Sequence, residues 1–294
     1  MSRNLDIVLT ASAPAVWGTT YIVTSQMLPE GFPLTIALLR ALPAGLVLLF
    51  FVRALPRPGM LGRVFILGGL NFAVFWALLF VAAYRLPGGL AATLGSIQPL
   101  FVVLLASRIL DTPITRRALV ASICGIFGVA LLIRGPNASL DGLGLAAGLG
   151  GAFCMAAGTV FSRRWRGDTP LLTFTAWQLT AGGLLLLPLA IWFEPALPTL
   201  SALNLAGLIW LGLPGAVISY ALWFRGVQRL APDAVSTLGF LSPLVALATG
   251  WIILGEALTT IQLGGAAIIL ASVALAHYTG SNLLGAKTVR RPSI

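Results

Sequence analysis

The groups in this chain best able to do chemistry are polar residues and prolines set inside long apolar runs. Pro99 and Pro243 each follow a glycine by four positions, Gly95 and Gly239, and each comes directly after a neutral polar residue, Gln98 and Ser242. A proline in a helix interior removes one backbone hydrogen bond and clashes with the carbonyl four residues earlier. The spacing predicts two hinges near mid-membrane, with the Gly95 and Gly239 carbonyls released toward a solute ammonium or hydroxyl. The plainer alternative is that Thr93, Thr237 or water satisfies those carbonyls and the prolines only kink their helices. Arg40 is the basic side chain placed well inside an apolar run. Charge at such depth faces a partner or a wet cavity. Two readings stand for it: a structural pairing with helix-end carbonyls or with Glu30, which is preferred, and attraction of a solute carboxylate. Trp17, Tyr21, Trp76, Trp177, Tyr220 and Trp223 also lie deep in apolar runs. About half of these six are expected to form an amphipathic wall for an apolar or planar solute, the rest to be packing.

This is chemistry of recognition rather than of bond making. All eight carboxylates, Asp6, Glu30, Asp111, Asp141, Asp168, Glu194, Asp233 and Glu256, fall near the ends of apolar runs or between them. Buried carboxylates are the usual relays of proton- or cation-coupled carriers, and none is expected at mid-depth. The single histidine, His277, falls near the end of the last apolar run. There is no P-loop and no H-E-x-x-H motif, and no Ser or His constellation of an intramembrane enzyme. Catalytic residues, cofactors and metal are therefore not expected. Cys124 and Cys154 read as small packing residues.

The elements that must position these groups follow from composition. The 294 residues are 58% hydrophobic and 9% charged, with mean hydropathy +0.98. Soluble domains carry about 25% charged residues. Roughly 20 apolar residues make one membrane-spanning helix, and that ruler predicts ten, at about 5–27, 33–53, 63–84, 88–110, 116–133, 142–163, 170–193, 200–226, 232–254 and 260–279. What remains makes only short connections. Ala11-Ser12-Ala13 resembles a cleavage site, but the apolar run before it is too short for a signal peptide, so the first segment is expected to be a retained helix.

A net charge of +10 could suggest nucleic acid, but the placement of the charges predicts a bilayer instead. With the N-terminus cytoplasmic, fifteen basic residues fall on the inner side and two, Arg85 and Arg134, on the outer. That is the positive-inside bias of a multi-pass inner-membrane protein, with both termini cytoplasmic.

The chain also repeats itself. Residues 85–100 and 229–244 are identical at seven of sixteen positions without a gap, a spacing of 144. Trp76 and Tyr220 are mates at this spacing, as are Pro99 and Pro243. Further upstream "LTIALLRAL" (34–42) aligns with "LTFTAWQLT" (172–180) and sets Arg40 opposite Gln178. Two units are expected, 1–135 and 141–280, followed by a basic cytoplasmic tail at 281–294. Five spans per unit is an odd number, so the second would enter the membrane from the opposite side. Such inverted repeats suit alternating access to a midplane site.

With these features in view, "AVWGTTYI" in the first segment and "YALWFRGVQRLAPDAVSTLGFLSPLVALATGWIILGEALTTIQLGG" near the end resemble the EamA-type transporters of the drug/metabolite transporter superfamily. The resemblance covers essentially the whole chain and is strongest to bacterial exporters of aromatic and other neutral amino acids. It implies an all-α membrane protein of ten helices around a central cavity. One departure is that Asp111-Thr112 stands where the second unit has Gly255-Glu256. The expected function is export of small neutral or aromatic amino acids, or related metabolites, by facilitated diffusion or exchange. The alternatives are a proton-coupled multidrug or metabolite exporter using Asp6, Glu256 or backbone groups, and, in a different class, an intramembrane enzyme or lipid-handling protein. The expected partners are a small-molecule substrate and the lipid bilayer, with no nucleic acid; the oligomeric state is left open. The candidate substrate-binding set is Trp17, Tyr21, Arg40, Trp76, Gly95, Gln98, Trp177, Gln178, Tyr220, Trp223, Gly239 and Ser242, with Pro99 and Pro243 as hinges.

Overall fold

The structure is a computed structural model, and it describes residues 3–85, 94–95, 97–132, 141–255 and 259–278. Among these, every regular element is helical. In chain order they are α1 (Arg3–Gly18), α2 (Thr20–Met27), α3 (Pro33–Val52), α4 (Pro58–Gly68), α5 (Val74–Arg85), α6 (Gln98–Ile109), α7 (Arg116–Leu132), α8 (Gly142–Trp165), α9 (Leu171–Phe193), α10 (Ala202–Gly212), α11 (Ser219–Arg229), α12 (Pro232–Leu238), α13 (Leu241–Leu254) and α14 (Thr260–Tyr278). Among the described residues, seven stretches are long and apolar enough to cross a membrane: Arg3–Met27, Pro33–Val52, Pro58–Leu79, Gly142–Trp165, Leu171–Phe193, Ala202–Arg229 and Pro232–Ile253. Gln98–Ile109 and Thr260–Ala276 are shorter apolar helices. The expected span at 88–110 begins outside the described residues, as do Thr93, Arg134, Glu256 and the tail at 281–294. The side chains of Tyr21 and His277 are outside them too.

Apolar side chains cover the outside as well as the core. Phe51, Ile191, Trp192, Phe193 and Ile252 are all exposed, a surface that suits hydrocarbon and not water. Inside, small residues let helices approach closely, as they do in membranes. α3 crosses α9, where a Cβ on Gly45 would lie 2.5 Å from the Thr180 amide nitrogen and one on Gly183 2.6 Å from Leu42 Cβ. α7 packs on α14. α5 and α6 both pack on α8, while α11 and α13 both pack on α1.

Two spans contain a π-helical segment, Gly69–Ala73 between α4 and α5 and Leu213–Ile218 between α10 and α11. Their first residues are 144 apart. The same spacing joins two left-handed positions, Asp111 (φ 52°) and Gly255 (φ 68°), the latter closing α13. Glycine adopts that conformation freely and Asp tolerates it better than most residues. A shared chain reversal thus explains why Asp stands where the other unit has Gly.

The prolines depart from the sequence expectation. Pro99 and Pro243 are not in helix interiors; they occupy the first turns of α6 and α13, where a missing N–H costs nothing. Before Pro243 the chain tightens into i+3 turns: Gly239 N donates to Ser236 O, Phe240 N to Thr237 O and Ser242 N to Gly239 O, at 3.1, 3.2 and 3.1 Å. The Gly239 carbonyl is therefore partnered within its own turn. Thr237 Oγ1 donates to the Ala234 carbonyl instead (2.9 Å).

Candidate functional site

A central cavity of about 870 Å³ runs between the helices. Pro29, Glu30, Gly31, Phe32 and Pro33 line its mouth, at the loop between α2 and α3. Of the residues singled out from sequence, Trp17, Arg40, Trp76, Gly95, Gln98, Pro99, Tyr220, Trp223, Gly239, Ser242 and Pro243 all line it. Residues as far apart in sequence as Trp17 and Pro243 thus meet on one surface.

The wall is aromatic. Trp17 lies 4.8 Å from Tyr220 and 5.2 Å from Trp223 between ring centroids. Phe72, fully buried behind this layer, makes edge contacts with Trp76 at 5.5 Å and Tyr220 at 4.6 Å. Such tilted and edge-on pairs are the favoured ring geometries, and together they fix the wall.

Arg40 is 8% exposed. Its Nη2 donates to the Gly215 carbonyl at 2.8 Å, and its guanidinium carbon sits 5.0 Å from the centroid of the Trp76 ring. Trp17 Nε1 donates to the same carbonyl at 3.2 Å. Gly215 belongs to the second π-helical segment. An i→i+5 pattern takes carbonyls out of the ordinary ladder, which explains how one backbone oxygen serves two side-chain donors. Arg40 is thus partnered by a π-segment carbonyl inside a span and not by a helix-end carbonyl; among the described residues it has no ion pair with Glu30 or any other carboxylate.

Trp177 and Gln178 lie apart from the cavity. Trp177 Nε1 donates to the Ala54 carbonyl at 2.7 Å, and the ring packs with Val64, Leu67, Phe174 and Ala181. Gln178 Oε1 accepts from Asn71 Nδ2 at 2.8 Å and from Ser162 Oγ at 3.1 Å, fully buried. Asn71 belongs to the first π-helical segment. At the spacing of 144 it is the counterpart of Gly215, and in the upstream alignment, where the spacing is 138, Gln178 stands opposite Arg40. Both pairs of aligned positions are thus in contact, by different chemistry: Arg40 donates to the Gly215 carbonyl beside the cavity, and Gln178 accepts from the Asn71 side chain away from it.

The end of the bundle opposite the 28–33 loop is closed by polar contacts. Asp6 on α1 pairs with Arg225 and, at 3.6 Å, with Arg229, both on α11. Arg163 on α8 donates to the carbonyls of Val227 (3.0 Å) and Leu230. Gln228 Nε2 donates to the Ser162 carbonyl at 3.1 Å. At the mouth end, Glu194 Oε1 and Oε2 accept from the amides of Leu34 and Thr35 (2.6 and 2.8 Å) and so cap α3. Near that end Asp141 caps α8 through the Gly144 amide (2.6 Å), which together with Arg85 holds its carboxyl below the ordinary carboxylate range.

Sequence reasoning missed Asn71, Gly215 and Phe72. Asn71 had a signal, since it is an amide in the middle of an apolar run. Gly215 had one only through its position 144 residues after Asn71. Phe72 carried none that distinguishes it from core.

Residues 5–134 and 142–278 each match the family described as EamA-like transporter family. The protein PecM of Dickeya dadantii is 45% identical over 263 residues, covering 89% of this chain and 88% of the relative. A probable amino-acid metabolite efflux pump of Salmonella typhimurium is 29% identical over 288 residues, covering 93% and 94%. One solved crystal structure shares the fold with a TM-score of 0.83 at 19% identity, over 94% of this chain and 98% of the other.

Proposed function

The chain belongs to the EamA-like transporter family, a multi-pass membrane transporter and not an enzyme, and on that premise we propose that it exports small neutral or aromatic amino acids, or related metabolites, by alternating access. The amino-acid reading leans on the Salmonella relative's description and on the aromatic wall. The mechanism rests on one observation: Arg40 meets Gly215 as Gln178 meets Asn71. Two five-helix halves, 1–135 and 141–280, inserted in opposite senses, would build one such contact each. The matched helix partners add support, since α5 and α6 sit on α8 as α11 and α13 sit on α1, and α3 crosses α9.

In this arrangement the two halves adopt different states. The Arg40 contact borders an open cavity, while the Gln178 contact is sealed. Exchanging the two states would close the mouth at the 28–33 loop, release Asp6 from Arg225 and Arg229, and bring Gln178 and Trp177 to the solute path from the other side. On the positive-inside reading, the end closed by the latch of Asp6 with Arg225 and Arg229 lies in the cytoplasm, in an inner membrane, with both termini on that side and ten spans in all. The first turns at Pro99 and Pro243 would be the hinges. Glu30, at the mouth, is the carboxylate among the described cavity residues; with none deeper, the cycle is read as facilitated diffusion or exchange and not as proton coupling.

The test is accessibility. In a chain whose native cysteines are replaced by alanine, Glu30→Cys should react with an impermeant thiol reagent from outside the cell and Gly59→Cys should not. The reverse pattern would overturn the orientation, and equal labelling the sidedness.

A further inference from the structure

We infer that the cavity selects solutes carrying a carboxylate on an apolar or aromatic body, and that Arg40, Gln98 and Trp223 form the subsite that reads it. This rests on the cavity being the solute path.

Three cavity-lining side chains contain buried nitrogen atoms without a hydrogen-bond partner: Arg40 Nε, Gln98 Nε2 and Trp223 Nε1. All three are N–H donors. Among the described residues, no cavity-lining side chain has a buried oxygen left in the same condition. Buried polar groups are nearly always paired, and an exception calls for an absent partner. The partner these three call for is an acceptor. Arg40 adds a full positive charge, since guanidinium stays protonated. Arg40 is buried, and it has no carboxylate partner among the described residues. The Gly215 carbonyl takes one of its five donors and the Trp76 face takes none. A planar carboxylate fits the remaining fork of an arginine better than any neutral acceptor does.

The geometry also gives the rest of the solute. Trp76 lies under Arg40, and Tyr220 and Trp17 continue the ring layer from there to Trp223. A solute whose carboxylate sits at Arg40 therefore lays its body on aromatic faces. Nothing in the subsite requires an ammonium. Aromatic monocarboxylates lacking one should bind too, which separates this inference from the amino-acid reading.

The experiment measures binding of 3-phenylpropionate and its neutral isostere 3-phenylpropionamide to the purified full-length chain in detergent, by isothermal calorimetry. The acid should bind about tenfold tighter than the amide, the size of one charge-assisted hydrogen bond. Arg40→Gln should bring the two to within about twofold, and Arg40→Lys should keep part of the preference. Trp223→Phe keeps the ring, removes one donor and should weaken the acid more than the amide, so the inference remains testable if Arg40→Gln does not fold. Equal affinity of acid and amide in the wild type would overturn it. So would a preference that survives Arg40→Gln, or no binding of the acid at millimolar concentration. Vesicles that carry acid and amide equally fast would remove the carboxylate subsite and leave the transport reading standing.

Discussion

Arg40 Nη2 donates to the carbonyl of Gly215 at 2.8 Å, tying α3 to the second π-helical segment across 175 residues of chain. Gln178 and Asn71 make the corresponding contact between α9 and the first π segment, also at 2.8 Å. The chemistry differs between the two. The first contact leaves a charge beside an open cavity; the second completes a closed amide cluster with Ser162. This asymmetry is what the proposed outward-open state of two similar halves would require.

The amide cluster should be a stability element in this state. Asn71→Ala removes the donor to Gln178 and Ser162 and leaves buried acceptors short of a partner, which costs about 1–3 kcal/mol. Thermal unfolding in detergent should shift down accordingly. An unchanged midpoint would show that the cluster carries no stability.

The crossing of α1 and α11 should be intolerant of bulk. A Cβ on Gly226 would lie 2.3 Å from Thr10 Oγ1 and Cγ2. Gly226→Ala is expected to destabilise by about 1–3 kcal/mol through overpacking. Thr10→Ala in the same chain should recover part of the loss, because it removes the two nearest atoms and leaves Thr10 Cβ, at 2.8 Å. Additive losses in the double variant would place the damage elsewhere.

The latch gives a prediction about populations. Asp6→Asn removes the carboxylate that Arg225 and Arg229 share and should favour opening at that end. Ser242→Cys, on the cavity wall in a background with Cys124 and Cys154 replaced by alanine, should then label several-fold faster from the cytoplasmic face of inside-out vesicles, as a shift of about 1 kcal/mol implies. Labelling unchanged by Asp6→Asn would mean that the ion pairs do not hold the end closed.

The prolines should matter although they begin helices. Alanine restores an amide donor at each position and allows the preceding turn to continue into the helix, worth about 1 kcal/mol. Pro99→Ala and Pro243→Ala are each expected to lower flux while the protein inserts and folds normally. Wild-type flux in the double variant, at matched expression, would assign the prolines no part in the cycle.

Much of this was legible in the sequence because membranes enforce simple rules. Long apolar runs had to be helices, and the 144-residue spacing paired Pro99 with Pro243 and Trp76 with Tyr220 before any geometry was known. The cavity lining was legible where a polar or aromatic residue broke an apolar run, as at Trp17, Arg40 and Gln98. Gln178 and Trp177 broke their run in the same way, yet they lie away from the cavity. Arg40, aligned with Gln178, faces the cavity, whereas Gln178 and Trp177 face packed helices, and a one-dimensional pattern does not record which of two aligned positions meets open space. The second π segment was invisible because the Gly215 carbonyl takes its donors from Trp17 and Arg40 on other helices. Glycine-guided crossings such as Gly45 on Thr180 were equally hidden, since a glycine announces close approach without naming its neighbour.

The most direct test of the central claim is counterflow in proteoliposomes. Vesicles containing the purified chain and loaded with unlabelled phenylalanine are diluted into a trace of labelled phenylalanine, with no proton or other ion gradient. The account predicts transient accumulation of label above protein-free vesicles, abolished when a cavity cysteine such as Ser242→Cys is blocked. No accumulation for phenylalanine or any other of the twenty amino acids, from protein shown to be folded and inserted, would contradict it.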